Sequence, residues 1–185
     1  SGIYFLTPER AVLTVPYGGS KPNEIPLPDS LKGRITRLER VHNGTMVVEA
    51  GRGTLAAFAL KGPSDVQSFS ASHTLVVDDR ILLWGEYEIS LLQQSEEKRS
   101  LLVTRQSLPI TSVLWKKGLP YIFIVFQDGR MLAMELYSES GRAEYELVSS
   151  TTPVQSAFMA EEGIVALLDM QKQSNQEVRL FRLID

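Results

Sequence analysis

Apolar residues in this chain fall in short blocks separated by turn-forming residues, and the blocks recur in one order. Each recurrence opens on a β-branched residue, a polar one, a polar or small one and an apolar one. The four openings are Ile35-Thr36-Arg37-Leu38, Val66-Gln67-Ser68-Phe69, Ile110-Thr111-Ser112-Val113 and Val154-Gln155-Ser156-Ala157, whose starts lie 31, 44 and 44 residues apart. A second apolar block follows at 46–49, 75–78, 121–126 and 164–168. Turns come next at 51–53, 78–80 and 127–130, with a longer one at 171–176, and then third blocks at 54–60, 81–84, 131–136 and 178–183. Two recurrences carry a fourth block, 101–104 and 144–148. The N-terminus enters the same frame one block late. There 3–6 is a second block, Pro8-Glu9 the turn, 11–15 a third block and 24–27 a fourth, which its prolines confine to a sheet edge.

Blocks of this length, rich in β-branched and aromatic residues and bounded by turns, predict strands. The strand count by recurrence is three, three, four, four and three. No stretch holds a 3.6-residue apolar period between helix caps. The longest helical candidate, 81–94, is interrupted by Gly85 and contains Trp84, Tyr87 and Ile89, which favour strands. Residues 121–126 (YIFIVF) are apolar throughout, as a central strand covered on both faces must be. Burying such side chains contributes about 2 kcal/mol each before conformational entropy is subtracted. Asp128-Gly129 suits a tight hairpin, since glycine accepts positive φ without steric cost.

A four-stranded antiparallel unit repeating near every 44 residues has the period of a β-propeller blade. The clearest unit runs Ile110-Thr111-Ser112-Val113-Leu114-Trp115, then Phe123-Ile124-Val125-Phe126-Gln127-Asp128-Gly129-Arg130, then Ala133-Met134-Glu135-Leu136. In that order of strand, Asp-Gly turn and strand, the chain resembles the WD-repeat-like and TolB-like β-propeller superfamily. It lacks the Trp-Asp and Gly-His pairs that mark WD repeats. The resemblance implies an all-β, propeller-like array of four-stranded antiparallel blades, about four to five of them and some partial. They form one domain over 1–185, with a partial blade at 1–33 and units starting near 34, 65, 110 and 153. Two closures stay open on sequence: N-terminal strands completing the last blade in a small ring, or the chain as a piece of a larger propeller.

Composition narrows the function. The 185 residues are 43% hydrophobic and 22% charged, as in folded globular chains. Nineteen basic against 22 acidic residues give a formal charge of −3, which argues against a dedicated nucleic-acid binder. With no cysteine, disulfides, thiolate nucleophiles and Cys-based zinc sites are excluded. No apolar run is long enough to span a membrane, and residues 1–6 have neither the basic region nor the long apolar stretch of a signal peptide. No nucleophile elbow, phosphate loop or HExxH motif occurs, and no cofactor or metal is expected.

Candidate contacts follow from the repeat. Arg10, Arg52, Arg80 and Arg130 each fall in the turn between a second and a third strand. On a common propeller face they would form a basic arc for a carboxylate or phosphate on a partner, unless Glu9, Asp78, Asp79 and Asp128 neutralise them. Trp115-Lys116-Lys117 ends a first strand, so Trp115 and Lys116 are a second candidate contact. The plainer reading packs the Trp between blades and leaves the lysines in water. His42 and His73 each precede a second strand and read as loop residues, since no carboxylate or third ligand stands at suitable spacing. Asn43-Gly44-Thr45 matches a glycosylation triplet and, more simply, a turn. The charge run 95–99 reads as a solvated loop.

The leading expectation is a non-catalytic propeller scaffold for protein–protein interaction. The alternative is a glycan- or small-ligand-binding module on a bacterial cell surface, which requires Trp84, Trp115 or Tyr87 exposed as a platform. A propeller enzyme ranks last, because carboxylates at repeated channel positions are missing.

Overall fold

The computed structural model describes residues 2–19, 21–61, 65–92, 100–136, 142–149, 152–168 and 177–182. Among them, eighteen strands form five small antiparallel sheets, and the helical content is one 3₁₀ turn at Asp29–Leu31. The first sheet holds β1 (Gly2–Leu6), β2 (Val12–Pro16) and β3 (Asn23–Glu24). The second holds β4 (Arg37–His42), β5 (Thr45–Glu49), β6 (Leu55–Ala59) and β7 (Gln67–Phe69). The third holds β8 (His73–Val77), β9 (Arg80–Trp84), β10 (Glu88–Leu92) and β11 (Ser100–Arg105). The fourth holds β12 (Ile110–Trp115), β13 (Tyr121–Phe126), β14 (Met131–Glu135) and β15 (Glu144–Val148). The fifth holds β16 (Val154–Met159), β17 (Gly163–Leu168) and β18 (Glu177–Arg182). In every sheet the strands lie in chain order, so each is a meander.

The all-β array of small blades stands, with one correction to its frame. Val66-Gln67-Ser68-Phe69 does not open the third unit. Its residues Gln67–Phe69 are β7, which pairs with β6 and closes the second sheet. The third sheet opens one strand later on β8, and its third strand is β10, inside the stretch 81–94. Strand counts are therefore three, four, four, four and three. The slip has a physical source: a three-residue outer strand and the opening of an inner strand carry the same alternation, and only pairing tells them apart. The charge run 95–99 and the long turn 171–176 lie outside the described residues.

The chain divides into two compact units, one of residues up to Gly85 with Leu91–Leu101, the other of Glu86–Ser90 with residues from Leu102 on. In the first unit β5 is buried on both faces. Met46 and Val48 join Val12, Ile35, Ala56 and Phe58 in one core, on which Tyr4 and Leu6 of β1 pack. Val47 points the other way, into a core with Leu55, Ala57, Ile81, Leu83 and Leu92. That double burial is why the strand alternates so little in polarity. The hairpin from β4 to β5 turns on Asn43 (φ 45°) and Gly44 (φ 76°), the paired left-handed residues of a two-residue turn matched to strand twist.

In the second unit one core joins the fourth and fifth sheets. Leu114, Phe123, Val125, Met131 and Ala133 meet Val154, Ile164, Ala166 and Leu168. The first strands of both sheets carry an irregularity at the same place, between Ile110 and Ser112 and between Val154 and Ser156. Such bulges re-aim a side chain and tighten the local twist. The fourth sheet's outer strand β15 leaves four of its five residues exposed. The outer strand β11 is shielded in part by Arg142, whose Nη1–H donates to Val103 O at 2.6 Å and occupies an acceptor there.

Candidate functional site

Antiparallel strands place successive turns at opposite ends of a sheet. Here the end with the second-to-third turn is called upper, and the end with the first-to-second turn lower. β1 and β2 count as second and third strands of the incomplete first sheet. The six candidate residues divide between the two ends. Arg10 lies in the turn from β1 to β2, Arg52 in the turn from β5 to β6 and Arg130 in the turn from β13 to β14, all upper ends. Arg80 does not belong with them. It begins β9 and follows the Asp78-Asp79 turn from β8, which is a lower end of the third sheet. Asn43 Nδ2–H, in the lower turn of the second sheet, donates to Asp79 O at 3.1 Å, which fixes that placement. Trp115 and Lys116 also lie at a lower end, after β12.

Local contacts decide how much free charge each site offers. Arg130 is folded back on its own turn. Its backbone N–H donates to Asp128 Oδ1 at 3.1 Å and its Nε–H to Oδ2 at 2.8 Å. Arg10 Nη1–H donates to Gly33 O at 2.7 Å, a neutral acceptor. Arg52 is exposed on the Gly51–Gly53 turn and extends free of ion pairs among the described residues. Arg80 stands 3.7 Å from Asp79 Oδ1. At the other end of the fourth sheet Trp115 is half-buried and its Nε1–H donates to Leu119 O at 3.1 Å, within its own turn. Lys116 Nζ donates to Glu161 O at 3.1 Å, while Lys117 is exposed. His42 closes β4 and His73 opens β8, so the two are not equivalent. His73 stacks on Trp84, its cross-strand partner, at 5.1 Å between ring centroids. Among the described residues, no group of three or more His, Asp or Glu is placed to hold a metal ion.

Each unit opens a cleft at an upper end. In the first unit a cleft of about 520 Å³ is lined by Glu9, Arg10, Glu24, Leu27, Lys32 and Gly33. Lys32 Nζ lies 2.6 Å from Asp29 Oδ1, and this exposed hydrogen bond, more than the charge itself, holds the Asp29 carboxyl below the usual range and the Lys32 ammonium above it. In the second unit a cleft of about 610 Å³ is lined by Glu86, Pro109, Thr111, Gln127, Asp128 and Gln155, among others. Main-chain bonds build it: Ile110 N–H donates to Glu86 O at 2.7 Å, Gln127 N–H to Pro109 O at 2.9 Å and Val154 N–H to Gln127 O at 2.9 Å. A fixed backbone thus presents a carboxylate pair, two amides and a hydroxyl to solvent. Thr111 and Gln155 are the polar second residues of two repeat openings, so the sequence carried a signal for them. Glu86 carries no such signal, because a frame that opens the third unit at Val66 places it after a third strand, whereas it lies between β9 and β10, the second and third strands of the sheet.

Tyr87 stands beside this cleft, 43% exposed. Its phenol is raised above the ordinary value of 10.0, first by its hydrogen bond to the Glu86 carboxylate, then by desolvation and by the Glu86 charge. Below that ordinary value the phenol keeps its proton and the contact. The contact is lost as pH rises through the raised value. We expect Glu86→Gln to bring the Tyr87 midpoint back toward 10.0 in a site-resolved NMR titration. An unmoved midpoint would remove Glu86 as the cause.

No family model and no curated protein matches the chain. Solved structures do match its fold. The C-terminal WD40 domain of Sif2 superposes with a TM-score of 0.61 at 15% identity, over 96% of this chain and 54% of that one. Hsv2 of Kluyveromyces lactis gives 0.60 at 14% identity, over 91% and 56%. The extracellular domain of the one-component system BT4673 of B. thetaiotaomicron gives 0.50 at 11% identity, over 98% and 28%. The fold is that of a WD40-like β-propeller, with no particular member singled out, and the chain spans about 55% of the length of the WD40 chains it matches.

Proposed function

We propose that the chain is a non-catalytic propeller scaffold that binds a protein partner through upper sheet ends, with Arg10 and Arg52 as contacts in the first unit and Arg130 as a contact in the second. The observation that carries this reading is the return of arginine to the same second-to-third turn in three sheets, two of them beside open clefts of mixed polarity. Broad clefts without a converging set of acids and bases suit recognition better than turnover. Arginine on a rim steers and orients an acidic partner more than it adds affinity.

Affinity capture from the native source identifies the partner, and calorimetry with purified components tests the surface. The variant Arg10→Glu/Arg52→Glu/Arg130→Glu should weaken binding by about tenfold or more at low salt, the difference shrinking as salt rises. Arg80→Glu and Lys116→Glu, at lower ends, should leave affinity unchanged. Equal affinity of the triple variant and the parent sinks the proposal.

A second reading, binding of a glycan or other small ligand, is favoured by one observation: Tyr87 is exposed next to Glu86 in the second unit's cleft. Trp84 and Trp115 do not add to such a platform, since both are half-buried and engaged locally. Loss of ligand binding on Tyr87→Ala, with partner binding intact, would support it.

A further inference from the structure

The outer strands of the sheets differ in what their free edges offer. β3 and β7 are two and three residues long, too short to template another strand. β11 is guarded, because Arg142 Nη1–H reaches Val103 O at 2.6 Å and Leu102 O at 3.5 Å. β18 carries charges that are already matched, Arg179 to Glu177 at 2.7 Å and Arg182 to Glu162 at 3.6 Å. β15 is five residues long, and among the described residues nothing but β14 bonds to its main chain.

Pairing fixes which groups of β15 face outward. Glu135 N–H donates to Ala143 O at 3.0 Å, so Ala143 and, two residues on, Tyr145 turn their main-chain groups toward β14, with Tyr145 opposite Ala133. Glu144 and Glu146 then point their N–H and C=O groups away from the sheet. Glu144 lies opposite Met134 and Glu146 opposite Leu132, so their carboxylates share one face of the edge. Both are exposed, and neither meets a cation among the described residues. Tyr145, 51% exposed, and Leu147, 44% exposed, alternate with them. The Tyr145 ring stands edge-on to Tyr121, at 6.0 Å between centroids, and Tyr121 packs on the core of the second unit. The edge therefore presents free backbone groups, two unmatched negative charges and a braced aromatic ring.

We infer that β15 is the docking edge for an extended basic segment of a partner protein. The segment adds to the fourth sheet as a further antiparallel strand, with lysine or arginine opposite Glu144 and Glu146 and an apolar residue between them, beside Tyr145. Main-chain bonds give such a strand its hold, and alternating side chains give it selectivity. Charge decides the occupant, since opposite charges facing each other across a strand pair are favourable and like charges are not. Two copies of this chain paired antiparallel about Tyr145 would set Glu144 against Glu146, so the edge repels its own kind. The inference stands apart from the arginine surface proposed above. It concerns the flank of a sheet and not its end, and a cationic segment in place of an acidic one.

The test uses the chain as it is and a short capped peptide that alternates lysine with valine. We expect the amide protons of Glu144 and Glu146 to exchange about tenfold or more slowly at saturating peptide, while that of Tyr145, already bonded to β14, keeps its rate. The same peptide with glutamate for lysine should give no slowing. N-methylation of the peptide's lysines, whose N–H groups face β15, should abolish binding, whereas N-methylation of its valines should leave it in place. Glu144→Lys/Glu146→Lys should reverse the preference, losing the lysine peptide and gaining the glutamate one, at an unchanged melting temperature because both side chains are exposed. Equal affinity of the lysine-methylated and unmethylated peptides would make the contact one of charge alone and overturns the proposal. Unslowed amides at Glu144 and Glu146 overturn it too. So does concentration-dependent protection of those two amides without peptide, which would make the occupant a second copy.

Discussion

Replacing Gly163 with alanine should cost the protein about 3 kcal/mol and lower its melting temperature by roughly 10 °C, followed by calorimetry or circular dichroism. Gly163 is the first residue of β17 and pairs with Arg182 of β18. A Cβ built on it would stand 2.1 Å from Phe181 O and 2.9 Å from Arg182 Cα. Both obstacles are backbone, so no rotamer change relieves them. β18 has to move, and with it Phe181, which packs on the core of the second unit. The control is Gly44→Ala. That Cβ meets nothing within 4 Å, but the residue sits at φ 76°, so the cost is backbone strain alone, about 1 kcal/mol. Equal melting temperatures for the two variants would show that the close approach of β17 and β18 is not what constrains Gly163. Hydrogen exchange sharpens the outcome, since the damage should centre on β17 and β18.

Gly85 shows how part of this architecture is readable before any coordinates. It breaks the stretch 81–94 and so argues against a helix there. The structure supplies the reason for glycine, because a Cβ at Gly85 would stand 2.5 Å from Ser70 O. Turn chemistry was equally legible. Asn43-Gly44 and Asp128-Gly129 both sit in hairpins, with Gly129 at φ 95°. The apolar blocks of the second and third strands were unmistakable, because burial on two faces removes polar residues from them. What escaped was the identity of short strands. β7 and the true first strand β8 are separated by only a few residues, and a local pattern cannot say which of two neighbouring strands hydrogen-bonds to β6. That single ambiguity carried through to the candidate site. It moved Arg80 to the wrong end of its sheet and hid Glu86. Arg10, Arg52 and Arg130 keep their places in second-to-third turns because those turns follow strands whose order the apolar blocks make plain.

Those residues also show why sequence spacing locates a charge but not its availability. Arg52 and Arg130 occupy equivalent turns. One extends from a glycine-flanked loop and the other is held by Asp128 two residues before it. An exposed pair of this kind is worth no more than about 1 kcal/mol, so Arg130 remains recruitable by a better acceptor, at the expense of the turn it now braces.

Phe123→Ala should be among the most damaging substitutions in the second unit, at about 3–5 kcal/mol, whereas Val165→Ala, at the equivalent position one sheet on, should cost no more than about 1 kcal/mol. Both residues sit in the middle of their rows on second strands, Phe123 between Leu114 and Ala133, Val165 between Phe158 and Leu180. Phe123 is 4% exposed inside the shared core, so truncation loses its transfer free energy and leaves a cavity that the surrounding sheet backbones cannot close. Val165 is only partly covered, so water fills the space its methyls vacate and no cavity term arises. The removed volumes differ, and Leu167→Ala beside Val165 corrects for that: it deletes a larger side chain from the same face of the sheet and should still cost less than half of Phe123→Ala. Denaturant unfolding of the three variants measures the contrast. Penalties at Val165 and Leu167 that match Phe123 would mean that their face is covered in solution.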